Sequence, residues 1–201
     1  MKKLLTPSYY KWNIKGYKNY IKKDRKINAV FRGSEELHKE YRKSLEWRTI
    51  REYRKYQANK ETIWGYYYHK KLKRLSEKTG IDFEGNVTIG EGMIIGHWGR
   101  IIVNGDAKIG DNVFLTHGVT IGRDIRGKRA GVPTIGNRVC IRTNSTIVGN
   151  IVIGDDVLIA PNTFVNFDVP SHSIVVGNPA TVHYRENATY GHIPEVDNNK
   201  R

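Results

Sequence analysis

The sequence predicts a mainly β protein, a solenoid of six-residue repeats preceded by an α-helical region. Three observations predict it. Residues 81–182 repeat with a period of six, the preceding eighty residues show helical spacing instead, and composition changes at the same place. Residues 1–80 hold 23 Lys and Arg against 8 Asp and Glu, together with ten of the twelve tyrosines, while residues 81–201 hold 11 against 12. The chain therefore divides into a basic, tyrosine-rich helical region (1–80), a repeat domain (81–182) and a carboxy-terminal tail (183–201), with the first boundary at Gly80 in "KTGIDF".

Three helices are predicted before that boundary. In "TPSYYKWNIKGYKNYIKKD", Thr6 caps and Pro7 opens a helix that places Tyr10, Ile14, Tyr17 and Ile21 on one stripe. A second starts after Ser34 and aligns Leu37, Tyr41 and Leu45. A third runs from about Glu61 to Lys78 and stops at Gly80. Lys and Arg fill the opposite faces.

After Gly80 one inward series reads Ile89, Ile95, Val103, Ile109, Leu115, Ile121, Ile135, Ile141, Ile147, Ile153, Ile159 and Val165. Two residues before each stands a small or apolar partner, from Val87 and Met93 through to Val157 and Thr163. Strand side chains alternate, so inward positions at i and i+2 followed by a glycine-rich corner make a short strand and a turn. Cys140, the single cysteine, lies in this repeat and is expected to be a buried thiol.

The register breaks twice. Between Ile121 and Ile135 an insertion, "GRDIRGKRAGVP", must leave the coil as a loop, and loops on rigid scaffolds often carry function. Between Ile95 and Val103 the step is eight residues instead of six, a bulge holding Gly96, His97, Trp98 and Gly99. Bulges re-aim side chains, which turns His97 outward.

The run "IDFEGNVTIGEGMIIGHWGRIIVNGDAKIGDNVFLTHGVTIG", the loop, and "PTIGNRVCIRTNSTIVGNIVIGDDVLIAPNTFVNFDVPSHSIVVGNPA" together resemble the hexapeptide-repeat acyltransferases, in their serine O-acetyltransferase-like branch. The resemblance implies a left-handed parallel β-helix, a homotrimer with active sites between neighbouring subunits, and acetyl-CoA as co-substrate. It also implies that His97 is the catalytic base and that Asp82, fifteen residues earlier, orients it. The chemistry fits those residue types. A hydroxyl attacks a thioester poorly unless an imidazole removes its proton as the bond forms, and a carboxylate on the other ring nitrogen fixes the tautomer. Backbone amides at Gly122 and Arg123 are candidates to hold the oxyanion.

By the same resemblance the pantetheine arm contacts Gly122, Thr143, Ala160 and Pro161, with Arg123 beside it and Arg142, His183 and Arg185 reaching the nucleotide phosphates. Gly96, Trp98, His117 and, on the loop, Arg126 are the acceptor-site candidates. No metal is expected, because His97 and His117 lack a histidine pair at zinc-ligand spacing.

The chain departs from the branch at two positions. Gly96 and Val132 stand where serine O-acetyltransferases carry an aspartate and a histidine that hold the amino acid. Gly96 is also expected to leave a roomier site. Those departures favour a sugar hydroxyl of a cell-surface polysaccharide or its precursor, with serine acetylation for cysteine biosynthesis as the alternative. The basic, tyrosine-rich region suits an acidic polymer or lipid-linked glycan, and peripheral contact with an anionic membrane. No base-reading module accompanies the charge, so nucleic acid is not an expected partner. With no eighteen-residue apolar run and no apolar signal core, the protein is expected in the cytoplasm.

Overall fold

The computed structural model describes residues 11 and 13–196. Thr6, Pro7 and Tyr10 lie outside them. Helix α1 spans Ile14–Phe31 and is capped by Asn13, whose side-chain oxygen accepts from the Gly16 amide at 2.9 Å. Helix α2 (Leu45–Asn59) starts at Ser44, whose hydroxyl accepts from the Trp47 amide, and α3 (Ile63–Thr79) ends on Gly80 at φ 69°. The helix expected after Ser34 does not form there. Residues 34–40 are irregular, a single 3-10 turn covers Tyr41–Lys43, and Ser44 takes the cap instead. Leu37 is still buried, but as part of an irregular connection.

The repeats build a parallel β-solenoid of about five turns. The first coil contains β1 (Ile81–Phe83), β2 (Thr88–Ile89) and β3 (Ile94–Ile95); the second β4 (Ile101–Val103), β5 (Lys108–Ile109) and β6 (Phe114–Leu115). The third contains β7 (Thr120–Gly122), β8 (Thr134–Ile135) and β9 (Val139–Ile141); the fourth β10 (Thr146–Val148), β11 (Val152–Ile153) and β12 (Val157–Ile159). The fifth has β13 (Phe164–Val165) and β14 (Ser173–Gly177), and β15 (Ala180–Tyr184) then turns back antiparallel to β14. Stacked coils make three flat sheets: β1-β4-β7-β10-β13, β2-β5-β8-β11, and β3-β6-β9-β12-β14-β15. This is the left-handed parallel β-helix with an amino-terminal helical region that the sequence predicts. Every residue of the inward series is at most 4% exposed, so the prism interior is its core.

Each end of the stack, and one outer face, needs covering. The helical region caps the first coil by donating to its backbone carbonyls: Tyr53 to Val87 at 2.9 Å, Gln57 to Ile89 at 2.9 Å, Arg54 to Ile89 at 2.8 Å, and Tyr56 to Gly85. An edge strand with free carbonyls is thereby closed. Arg54 is fully buried, so the basic residues of this region are not all on solvated faces. Outside the third sheet, Ile94, Phe114, Cys140 and Leu158 pack against Ile27 and Phe31 of α1 and against Ile193 and Val196 of the tail. Burial there pushes the Cys140 thiol up to about 12.

Candidate active site

Four successive corners between the third and first sheets stack into one edge of the prism. They are residues 96–100, 116–119, 142–145 and 160–163. His97, His117, Thr143, Ala160 and Pro161 all fall on this edge, although 64 residues separate the first from the last. Rungs of backbone hydrogen bonds hold it, from the Asn144 amide to His117 O at 3.1 Å and from the Asn162 amide to Thr143 O at 2.9 Å. The corners turn through left-handed residues, Gly118 at φ 78°, Asn144 at 59° and Asn162 at 57°.

His97 and His117 sit one coil apart and both are exposed, with ring centroids 6.1 Å apart and planes at 66°. Trp98 beside them is 53% exposed. The bulge that lifts His97 is fastened at both ends by the helical region. Glu46, in the first turn of α2, accepts from the Trp98 amide at 3.3 Å, and the Gly80 carbonyl that follows α3 accepts from the Ile101 amide at 2.9 Å. A Cβ at Gly80 would lie 2.8 Å from the Arg100 nitrogen, so only glycine lets α3 end this close. Sequence reading missed Glu46; the Ser44 cap that fixes its position was the available signal.

Asp82 is the outward middle residue of β1 and pairs in register with Ile102 of β4, the strand into which the bulge leads. It lines a groove of about 310 Å³ with His69, Lys73, Ser76 and Glu84. Among the described residues no hydrogen bond joins Asp82 to His97.

Gly96 does not enlarge the site. A Cβ there would meet the Phe114 ring at 2.8 Å, so the space expected beside His97 is occupied by a side chain only 3% exposed. Val132, the second departure, is half-buried at the base of the loop.

Gly122 and Arg123 lie on a different edge, where β7 passes into the loop. That loop is an arm closed by paired backbone bonds between Asp124 and Gly131, and it lies back on the fourth coil, where Arg129 O accepts from the Asn150 amide at 2.8 Å. Arg123 pairs with Asp106, while Arg126 is exposed near the tip. Arg142 projects from the His97 edge with its guanidinium 5.7 Å from the Phe114 ring centre. Burial, and then the charges of Arg142 and Arg185, hold His192 below the ordinary histidine value. Both arginines act electrostatically on a histidine that sequence reading did not single out. His183 is exposed on β15 and shares a hydrogen bond with Thr181 at 3.0 Å. No group of three or more metal-ligating His, Cys, Asp or Glu occurs among the described residues, and none of their helices is long and apolar enough to cross a membrane.

Residues 133–166 match the family described as bacterial transferase hexapeptide (six repeats). That stretch is similar to the repeat of the bacterial hexapeptide transferases. Serine acetyltransferase 2 of Arabidopsis thaliana is 42% identical over 109 residues, 53% of this chain and 33% of that protein. A serine acetyltransferase of Helicobacter pylori is 38% identical over 102 residues, 51% of this chain and 60% of that protein. The chain thus spans between a third and three fifths of these relatives. The crystal structure of Neisseria gonorrhoeae serine acetyltransferase matches with a TM-score of 0.72 and 25% identity, covering 85% of this chain and 69% of that one.

These likenesses overturn the sugar hydroxyl, and with it the saccharide acceptor, in favour of the serine alternative. One physical ground for the sugar reading fails as well, because Phe114 fills the room attributed to Gly96.

Proposed function

We propose that the protein is an acetyl-CoA-dependent O-acetyltransferase acting on the hydroxyl of serine. The observation that carries the reading is the likeness to the Neisseria gonorrhoeae serine acetyltransferase, which runs through helical region and solenoid alike over 85% of the chain. His97 is the general base. As the serine oxygen bonds to the acetyl carbon, His97 accepts the hydroxyl proton, the C–S bond of the thioester breaks, and the proton passes to the departing sulfur. Asp82, on the neighbouring strand, is the candidate to orient the imidazole once a substrate orders the exposed bulge.

Donor contacts divide between two edges of the prism, with Thr143, Ala160 and Pro161 beside His97 and with Gly122 and Arg123 apart from it. A site that uses both draws on two protomers, which supports a homotrimer with the reaction between subunits. Arg142 and Arg185, joined by His192, are the candidates for the nucleotide phosphates.

The test is thiol release from acetyl-CoA with L-serine by wild type and His97→Ala. Serine-dependent release that falls about 10²- to 10⁴-fold in the variant supports the assignment. Absence of release with serine, or release unchanged in the variant, overturns the substrate or the base respectively. Light scattering tests the assembly, which requires a mass near three times the 23.1 kDa chain.

A further inference from the structure

A second cationic feature lies away from the solenoid edge, between α2 and α3. Arg48 and Arg51 on α2 face Lys71, Arg74 and Lys78 on α3 across a groove of about 220 Å³ with Leu75 in its wall. Lys71, Arg74 and Lys78 stand at i, i+3 and i+7, one row on the same face of the helix, about 10 Å long at 1.5 Å per residue. Arg48 and Arg51 form a shorter row one turn apart.

The groove holds one acid, Glu52, whose buried Oε2 has no hydrogen-bond partner among the described residues. Its Oε1 accepts from Arg51 Nε at 3.1 Å and from Lys55 Nζ at 3.1 Å, and the residue is 4% exposed. Among the described residues Arg48, Lys71, Arg74 and Lys78 form no ion pair with a carboxylate. Five cations and one carboxylate leave the groove strongly positive, and a bound anion would offset the repulsion among them. Water at the surface screens such a cluster but supplies no counter-charge.

We propose that the groove is a binding site for a ligand carrying two or more linked phosphate groups. A diphosphate offers two sets of oxygens to the cations of the two rows, where a single phosphate offers one. Arginine supplies forked donors to phosphate oxygens, and lysine adds point charges at the ends of the row. The diphosphate can come from a free nucleotide or diphosphate, or from the nucleotide end of coenzyme A. The site does not depend on the acetyltransferase reading, because binding is measured without turnover.

Titration calorimetry of the full chain tests it with inorganic diphosphate, ADP, coenzyme A and inorganic phosphate in separate arms, on wild type, Arg74→Glu, Lys78→Glu and Lys108→Glu. Lys108 is exposed on β5, so its reversal makes the same change in net charge away from the groove. Diphosphate binding weakened at least about tenfold by Arg74→Glu and Lys78→Glu, and unchanged in Lys108→Glu, is the expected result. ADP and coenzyme A arms that follow the same pattern name the source. Equal weakening in all three variants means general charge attraction, and inorganic phosphate binding as tightly as diphosphate means an adventitious ion only; either overturns the proposal. Circular dichroism of both groove variants separates lost binding from lost helix.

Discussion

Arg54 and Asp24 form an ion pair with both side chains fully out of solvent, Nε to Oδ2 at 2.7 Å and a guanidinium nitrogen to Oδ1 at 3.1 Å. The pair also grips the solenoid. Asp24 accepts from the Gly92 and Met93 amides, each at 2.9 Å, and Arg54 donates to the Ile89 and Gly90 carbonyls. It therefore ties α1, α2 and the first coil into one unit.

Arg54→Leu should be severely destabilising. It leaves the Asp24 carboxylate buried without its cation and the Gly90 carbonyl without its donor, and breaking such a pair from one side costs about 3–5 kcal/mol. Denaturant unfolding would show it as a drop in midpoint with a similar slope. Asp24→Asn, which keeps an acceptor for the Gly92 and Met93 amides, should lose less.

Gly96→Ala tests whether the Phe114 ring fills the space beside His97. The added methyl would meet that ring at 2.8 Å, so stability should fall by about 1–3 kcal/mol, the usual range for overpacking. Combining it with Phe114→Leu should recover most of the loss in thermal unfolding. Tolerance of alanine in the wild-type background would mean the site is roomy after all.

The tail should be released by acid. Burial would raise the Asp156 carboxyl, but hydrogen bonds from Thr189, His172 and Ala188 outweigh it and hold the group below its ordinary value. A folded-state value below the unfolded one contributes stability that is present above the unfolded value and is lost as pH falls through the folded one. Hydrogen-exchange protection factors at residues 188–196, which correct for slower intrinsic exchange in acid, should therefore fall below about pH 4, the ordinary aspartate range, and not between pH 6 and 8. Asp156→Asn should show faster exchange already at neutral pH.

His192 offers a pH test of the donor site. Its value is lowered by burial and by Arg142 and Arg185, so it is largely neutral at pH 7. A phosphate group set among the three would favour the charged form, so acetyl-CoA binding should take up a proton. Calorimetry in buffers of different ionisation enthalpy measures that uptake, and it should vanish in His192→Ala.

The period of six determined most of this fold from sequence alone. A coil has one inward position in two, and those positions are apolar from Val87 to Val165 save the small hydroxyl residues Ser145 and Thr163, because the prism interior admits only apolar or small, internally hydrogen-bonded side chains. The broken step at residue 97 was equally legible, since two extra residues have no place in a coil and must stand out from it. Local rules also placed α3, where Gly80 supplies the left-handed stop. They failed at residues 34–45, where a helical-looking stripe of Leu37, Tyr41 and Leu45 gave way to an irregular link, a 3-10 turn and the Ser44 cap.

What only tertiary structure decided was which partners those residues met. Period and charge could not show that Arg54 and three neighbours on its helix would be drawn inward, because the coil carbonyls they satisfy lie 29 to 36 residues further along the chain. Nor could they show that Phe114 would fill the space at Gly96. Those facts belong to long-range packing, in which each buried polar group must find a donor or acceptor wherever the fold brings one.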